Sequence, residues 1–125
     1  MKLHHIGIHV EDLTKSEAFY GDILGFKKTG RIDTDSLAIS FMSFDNSSIE
    51  LICHKKDPKE ADANSAVHLA FCSDDVDADF SRLTALGVTP ESAEPVCFEG
   101  GKLFFFRGPD GETIEFMKDV NVEPV

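Results

Sequence analysis

The chain states nearly the same pattern twice. Residues 5–26 read HIGIHVEDLTKSEAFYGDILGF, and residues 68–88 read HLAFCSDDVDADFSRLTALGV. Each stretch opens on a histidine, carries an acidic pair six and seven residues later, and closes on Leu-Gly before an apolar residue. A strand-like segment ends each half, SSIELI at 47–52 and ETIEFM at 112–117. His5 and Glu50 stand 45 positions apart, and His68 and Glu115 stand 47 apart. A repeat of this length means two copies of one supersecondary unit. Two histidines and two glutamates then occupy equivalent points of a pseudo-symmetric body, a candidate site for a divalent metal.

Periodicity fills in the unit. Leu3 to Val10 alternates, with Leu3, His5, Gly7 and His9 on one face and His4, Ile6, Ile8 and Val10 on the other. A helix follows, started by Asp12 or by the capping-box pattern Thr14-x-x-Glu17, with Leu13, Tyr20, Ile23 and Leu24 as its apolar stripe and Phe19 at the border. Gly25 stops it. Strands are expected at about 26–33, 37–44 and 47–54, the last two joined by a turn at Asp45-Asn46. The polar segment 55–65 reads as a linker. The second half repeats the plan: a strand at 67–72 and a helix at about 75–86 with Val76, Phe80 and Leu83 inward and Gly87 as its stop. A weaker strand near 90–98 is interrupted by Pro95, and strands at 102–107 and 112–118 flank the turn Gly108-Pro109-Asp110-Gly111. The tail from Asp119 is short.

The expected fold class is therefore α+β. A single domain spans residues 1–125, built of two tandem βαβββ units at about 2–54 and 66–118. Together they form a curved mixed sheet, with helices on the outer face and a concave cavity on the other. Strand period places His5, Gly7, His9, Glu50, Ile52 and His54 on the concave face, with His68, Ala70, Cys72, Thr113, Glu115 and Met117 from the second half. Ile49, Leu51, Cys53, Ile114 and Phe116 face the helices. His4 lies beside the sheet.

Composition narrows the classes of function. The length of 125 residues is enough for a real core, and eleven Phe with no Trp point to aromatic packing. A formal net charge of −11 argues against nucleic acid or an anionic membrane as partner. The aspartates at 74, 75, 77 and 79 read as a solvated helix start, where acidic groups suit the helix dipole. No apolar run reaches the roughly 20 residues of a membrane helix, and the N-terminus alternates like a strand rather than a signal peptide. Cys53, Cys72 and Cys97 have no zinc-type spacing, and pairing leaves one over. Free thiols and a cytoplasmic setting are the simpler expectation.

The opening LHHIGIHVEDLTKSEAFYGDILGF resembles the first strand and helix of the vicinal oxygen chelate superfamily, the glyoxalase I and bleomycin-resistance fold. The segment FFFRGPDGETIEF resembles its final hairpin, where a Pro-Asp-Gly turn precedes a ligand glutamate. The resemblance covers about 2–118. It implies a metal set of His5, Glu50, His68 and Glu115, holding one divalent ion per site (Ni, Zn, Mn, Co or Fe(II)), and a homodimer that completes each cavity. Two imidazoles and two carboxylates without thiolate suit such an ion.

The resemblance also implies a chemistry. Two vicinal oxygens of a small or thiol-conjugated 2-oxo substrate are chelated, and Glu115 or Glu50 moves a proton on the adjacent carbon. Glutathione-specific members carry Arg where this chain has His9, which puts a glutathione adduct in question and leaves bacillithiol, coenzyme A or a free small acid. His9, His54 and Arg107 are candidate substrate contacts, with Lys102 beside them. One of Phe104, Phe105 and Phe106 is expected to line the cavity, and Cys72 is read as small apolar filler. Competing readings are a fosfomycin-type resistance enzyme, a methylmalonyl-CoA epimerase-like isomerase and a non-enzymatic bleomycin-type binding protein. The fosfomycin type expects an Arg beyond the last ligand, and MKDVNVEPV holds none.

Overall fold

The structure is a computed structural model that describes residues 4–57 and 67–119. The first expected strand residues, most of the linker (58–65) and the tail beyond 119 lie outside the described residues. The chain falls into two compact units. The first runs to residue 66 and takes in the turn 108–111; the second holds 67–107 and 112 onward.

In the first unit, β1 (Ile6–His9) pairs in parallel with β4 (Ser47–His54), and β3 (Leu37–Phe44) and β2 (Lys27–Asp33) follow antiparallel, in the order β1-β4-β3-β2. A parallel pair needs a crossover rather than a hairpin. The crossover here begins with α1 (Leu13–Ala18), which continues into a π-helical turn at Phe19–Ile23. Asp12, not Thr14, is the cap: its carboxylate accepts the Lys15 N–H at 3.1 Å. Glu17 is drawn inward instead, accepting the hydroxyl of buried Ser40 at 2.8 Å and pairing with Lys28 at 3.2 Å. Leu13, Ser16 and Tyr20 are buried, and α1 packs on β3 and β4. Ile23 and Leu24 are only half-buried, because the wider π turn shifts the stripe. Gly25, at φ +82°, ends the segment in the left-handed conformation that glycine adopts without strain.

The second unit repeats this plan. Here β5 (His68–Cys72) pairs in parallel with β8 (Thr113–Lys118), followed by β7 (Gly101–Arg107) and β6 (Val96–Phe98). Between β5 and β6 runs α2 (Val76–Ala85), capped by Asp75, whose carboxylate accepts the Ala78 N–H at 3.0 Å. Val76 and Leu83 are buried, and Phe80 meets Phe104 edge-on at 5.2 Å. Phe104, Phe106, Ile114 and Phe116 form the helix-side core. The expected strand at 90–98 shrinks to Val96–Phe98. Pro95 has no N–H to give to a ladder, and the chain before it is held by single bonds such as Glu91 N–H to the Phe105 carbonyl at 2.8 Å.

Phe104 is fully buried and touched by three aromatic rings, so Phe104→Ala is expected to cost ~3–5 kcal/mol in urea unfolding. Phe98→Ala, on a ring that is 52% exposed, is expected to change stability by no more than about 0.5 kcal/mol.

Candidate metal centre

Each unit builds the same His–Glu pair on the sheet face turned away from its helix. In the first, register places Gly7 of β1 and Phe41 of β3 on either side of Glu50. In the second, Ala70 of β5 and Phe105 of β7 flank Glu115. A glutamate thus lies between a minimal side chain and a phenylalanine in both. The histidine comes from the small-residue side, from β5 for His68 and from the residue just before β1 for His5. His5 Nε2 lies 2.9 Å from Glu50 Oε2, and His68 Nε2 lies 3.2 Å from Glu115 Oε1. Both carboxylates are largely shielded, at 14% and 13% side-chain exposure, whereas the histidines are more open. A Cβ on Gly7 would meet Ile52 Cδ1 at 3.1 Å, a tight contact that the end of the isoleucine side chain would have to yield to.

The match to a family model is the deciding comparison. The model of the Glyoxalase/Bleomycin resistance protein/Dioxygenase superfamily matches residues 2–116. The chain belongs to this superfamily. Among curated relatives of this superfamily member, the uncharacterized protein YwbC of Bacillus subtilis is 31% identical over 124 residues, covering 94% of this chain and 97% of YwbC. A lactoylglutathione lyase of Haemophilus influenzae is 29% identical over 127 residues, covering 95% and 93%. Among solved structures, a glyoxalase family protein from Enterococcus faecalis superposes with a TM-score of 0.79 at 22% identity, covering 94% of this chain and 97% of that one. The last likeness speaks to the fold alone.

The donor set of this glyoxalase-superfamily chain fits a divalent ion. Adjacent ligands of an octahedral ion with bonds near 2.1 Å stand about 3.0 Å apart. The His5–Glu50 and His68–Glu115 spacings straddle that value. His4 adds a donor atom that sequence reading passed over. Its Nδ1 lies 2.8 Å from His5 Nδ1, and His4, His5 and Glu50 each bring one donor within 4.8 Å of the other two. The only sequence signal was the doubled His-His.

The remaining candidates divide. His9 and His54 meet: their rings stack at 5.2 Å with an interplanar angle of 22°, on the same face as Glu50. His54 Nε2 is buried with no hydrogen-bond partner among the described residues. Phe105 is the member of the phenylalanine run that shares the Glu115 face, edge-on to His68 at 6.1 Å. Arg107 is exposed and engaged, with Nε 2.8 Å from Glu91 and a bond to the Thr113 hydroxyl. Lys102 is committed to Asp77 at 2.7 Å, and that carboxylate holds its ammonium above the usual lysine range. It borders a cleft of about 480 Å³ formed by residues around Asp75, Cys97 and Lys118. This cleft contains neither His68 nor Glu115.

The three cysteines are free. Cys72 is exposed rather than a filler, since β5 lies at the sheet edge. Cys53 donates its S–H to the Glu11 carbonyl at 3.4 Å, and burial, reinforced by the carboxylates of Asp12 and Asp110, pushes its thiol pKa up. Only the thiolate alkylates. Iodoacetamide at neutral pH is therefore expected to label exposed Cys72 and Cys97 well before Cys53, read by peptide mass mapping. Raising the pH should speed the Cys53 reaction, because its thiol ionises only above the usual range.

Proposed function

We propose that this chain is a metal-dependent lyase or isomerase of the glyoxalase I type, acting on a small or thiol-conjugated 2-oxo compound. His5, Glu50, His68 and Glu115 are the proposed ligands of one divalent ion, and a homodimer is the proposed assembly. The observation that carries this reading is the repetition of the half-site. A hydrogen bond accounts for either His–Glu pair alone. The same pair at ligand spacing in both units, each flanked by a small residue and a phenylalanine, is better explained by a shared ligand.

When bound, the ion supplies Lewis-acid stabilisation for negative charge developing on a substrate oxygen. The side chains do the rest. Glu115 or Glu50 takes a proton from the carbon beside the carbonyl and returns it to the neighbouring carbon. Phe41 and Phe105, beside those carboxylates, limit the water that reaches them. The stacked His9 and His54 are proposed to meet the polar part of the substrate. The lyase relative supports a thiol conjugate, while His9 in place of Arg argues against glutathione as the thiol. The three free thiols support a reducing, cytoplasmic setting.

Protein stripped with chelator and reloaded with Ni, Mn, Co or Zn is expected to retain about one ion per chain by elemental analysis, and His68→Ala to lower that occupancy strongly. Retention of none of these metals removes the enzyme reading. Hemiacetals of methylglyoxal with bacillithiol or coenzyme A are expected to turn over better than the glutathione adduct. Glu115→Gln should lose more than the ~10²-fold expected of a general base alone, because it also damages the ligand set. Turnover of no hemiacetal together with modification of fosfomycin replaces this assignment with the resistance enzyme. Sedimentation is expected to show a dimer at micromolar concentration.

A further inference from the structure

We propose that His4 is a positioning residue for the ligand His5: it accepts the proton on His5 Nδ1, and so fixes Nε2 as the nitrogen that binds the ion. The inference rests on the metal-binding reading above and adds to it a residue outside the four ligands.

The geometry is a relay of three side chains. His4 Nδ1 lies 2.8 Å from His5 Nδ1, and the two rings meet edge to face at 82° with centroids 5.1 Å apart. At the far side of the His5 ring, Nε2 lies 2.9 Å from Glu50 Oε2. A bond between two ring nitrogens at this distance needs a proton on one of them and a lone pair on the other. An imidazole that gives the lone pair of Nε2 to a metal keeps its proton on Nδ1. His4 must then present a bare Nδ1 and carry its own proton on Nε2, which its exposed position leaves free to meet water. Ligand histidines are commonly oriented in this way by an acceptor on the second nitrogen, which fixes tautomer and ring plane together. The usual acceptor is a carboxylate or a carbonyl. Here it is a second imidazole, supplied by the neighbouring residue.

Among the described residues the arrangement belongs to His5 and not to His68. The residue before His68 is Val67, which offers no side-chain acceptor, and the His68 ring meets Phe105 edge-on. The two histidine ligands are thus held by different means, one by a hydrogen bond and one by aromatic contact. Adjacent residues on an ideal strand point to opposite faces. β1 begins only at Ile6, so His4 and His5 stand before the ladder and are free of that alternation.

The test uses the full-length protein, His4→Phe and His4→Gln, with zinc as the probe and a competing chromophoric chelator as the readout. Phe keeps the ring and removes the acceptor, whereas Gln offers an amide oxygen. His4→Phe is expected to weaken zinc binding about tenfold, the lower end for a lost outer partner because His4 is exposed, and His4→Gln to recover most of that loss. Melting temperatures of the metal-free proteins should match. Ring-nitrogen NMR of the cadmium-loaded wild type should show metal coupling at His5 Nε2, a proton on His5 Nδ1 and none on His4 Nδ1. Wild-type zinc affinity in His4→Phe, failure of Gln to rescue, or metal coupling at His4 itself overturns this inference and leaves the four-ligand reading standing. Failure of the wild type to bind zinc or cadmium overturns both.

Discussion

The parallel pairing of the first and last strands in each unit is the constraint from which the candidate site follows. Gly7 stands beside Glu50 and Ala70 beside Glu115 because β1 runs with β4 and β5 runs with β8. Antiparallel neighbours can be joined by a tight turn, but a parallel pair requires a long excursion over one face. That excursion is the helix, and it buries Ile49, Leu51, Ile114 and Phe116. The opposite face is left without a helix, and there the two-residue period of the strands places Glu50, Glu115 and His68, with His5 brought in by the segment just before β1. Cover on one side and chemistry on the other are the same decision.

Much of this was legible in the chain. Strand boundaries at 26–33, 37–44, 47–54, 102–107 and 112–118 lie within one residue of those found, because alternation and turn residues such as Asp45 and Gly111 mark them strongly. Both His–Glu pairs could be aligned from the repeat alone. Three features were hidden. The π turn at Phe19–Ile23 keeps the same residues as an α-helix and differs by one position in its hydrogen bonds. The contact of His4 with His5 depends on the chain not yet being a strand. Which phenylalanine of the run at 104–106 faces the carboxylate depends on register, and shifting that register by one residue exchanges the faces.

The two outer strands show how exposed sheet edges are kept from pairing elsewhere. β2 is exposed along its whole length, and it carries Lys27, Lys28, Arg31 and Asp33 with a register break between Lys28 and Gly30. Charge and irregularity of this kind discourage a foreign strand. Lys55 pairs with Asp33 and holds that carboxyl below its usual range. The pair is solvent-exposed, so it adds little stability. β6 takes the other route. It has Val96 and Phe98 on the surface, but it is only three residues long.

The turn Gly108–Gly111 has left its own repeat. Asp110 accepts the Glu11 N–H at 3.0 Å and faces the hydroxyl of buried Ser16 at 3.4 Å, so the turn belongs to the first compact unit although it joins β7 to β8 in sequence. The matching turn of the first unit, Asp45-Asn46, makes no such exchange among the described bonds. A cut between the two sequence repeats would part Asp110 from the helix start that it completes.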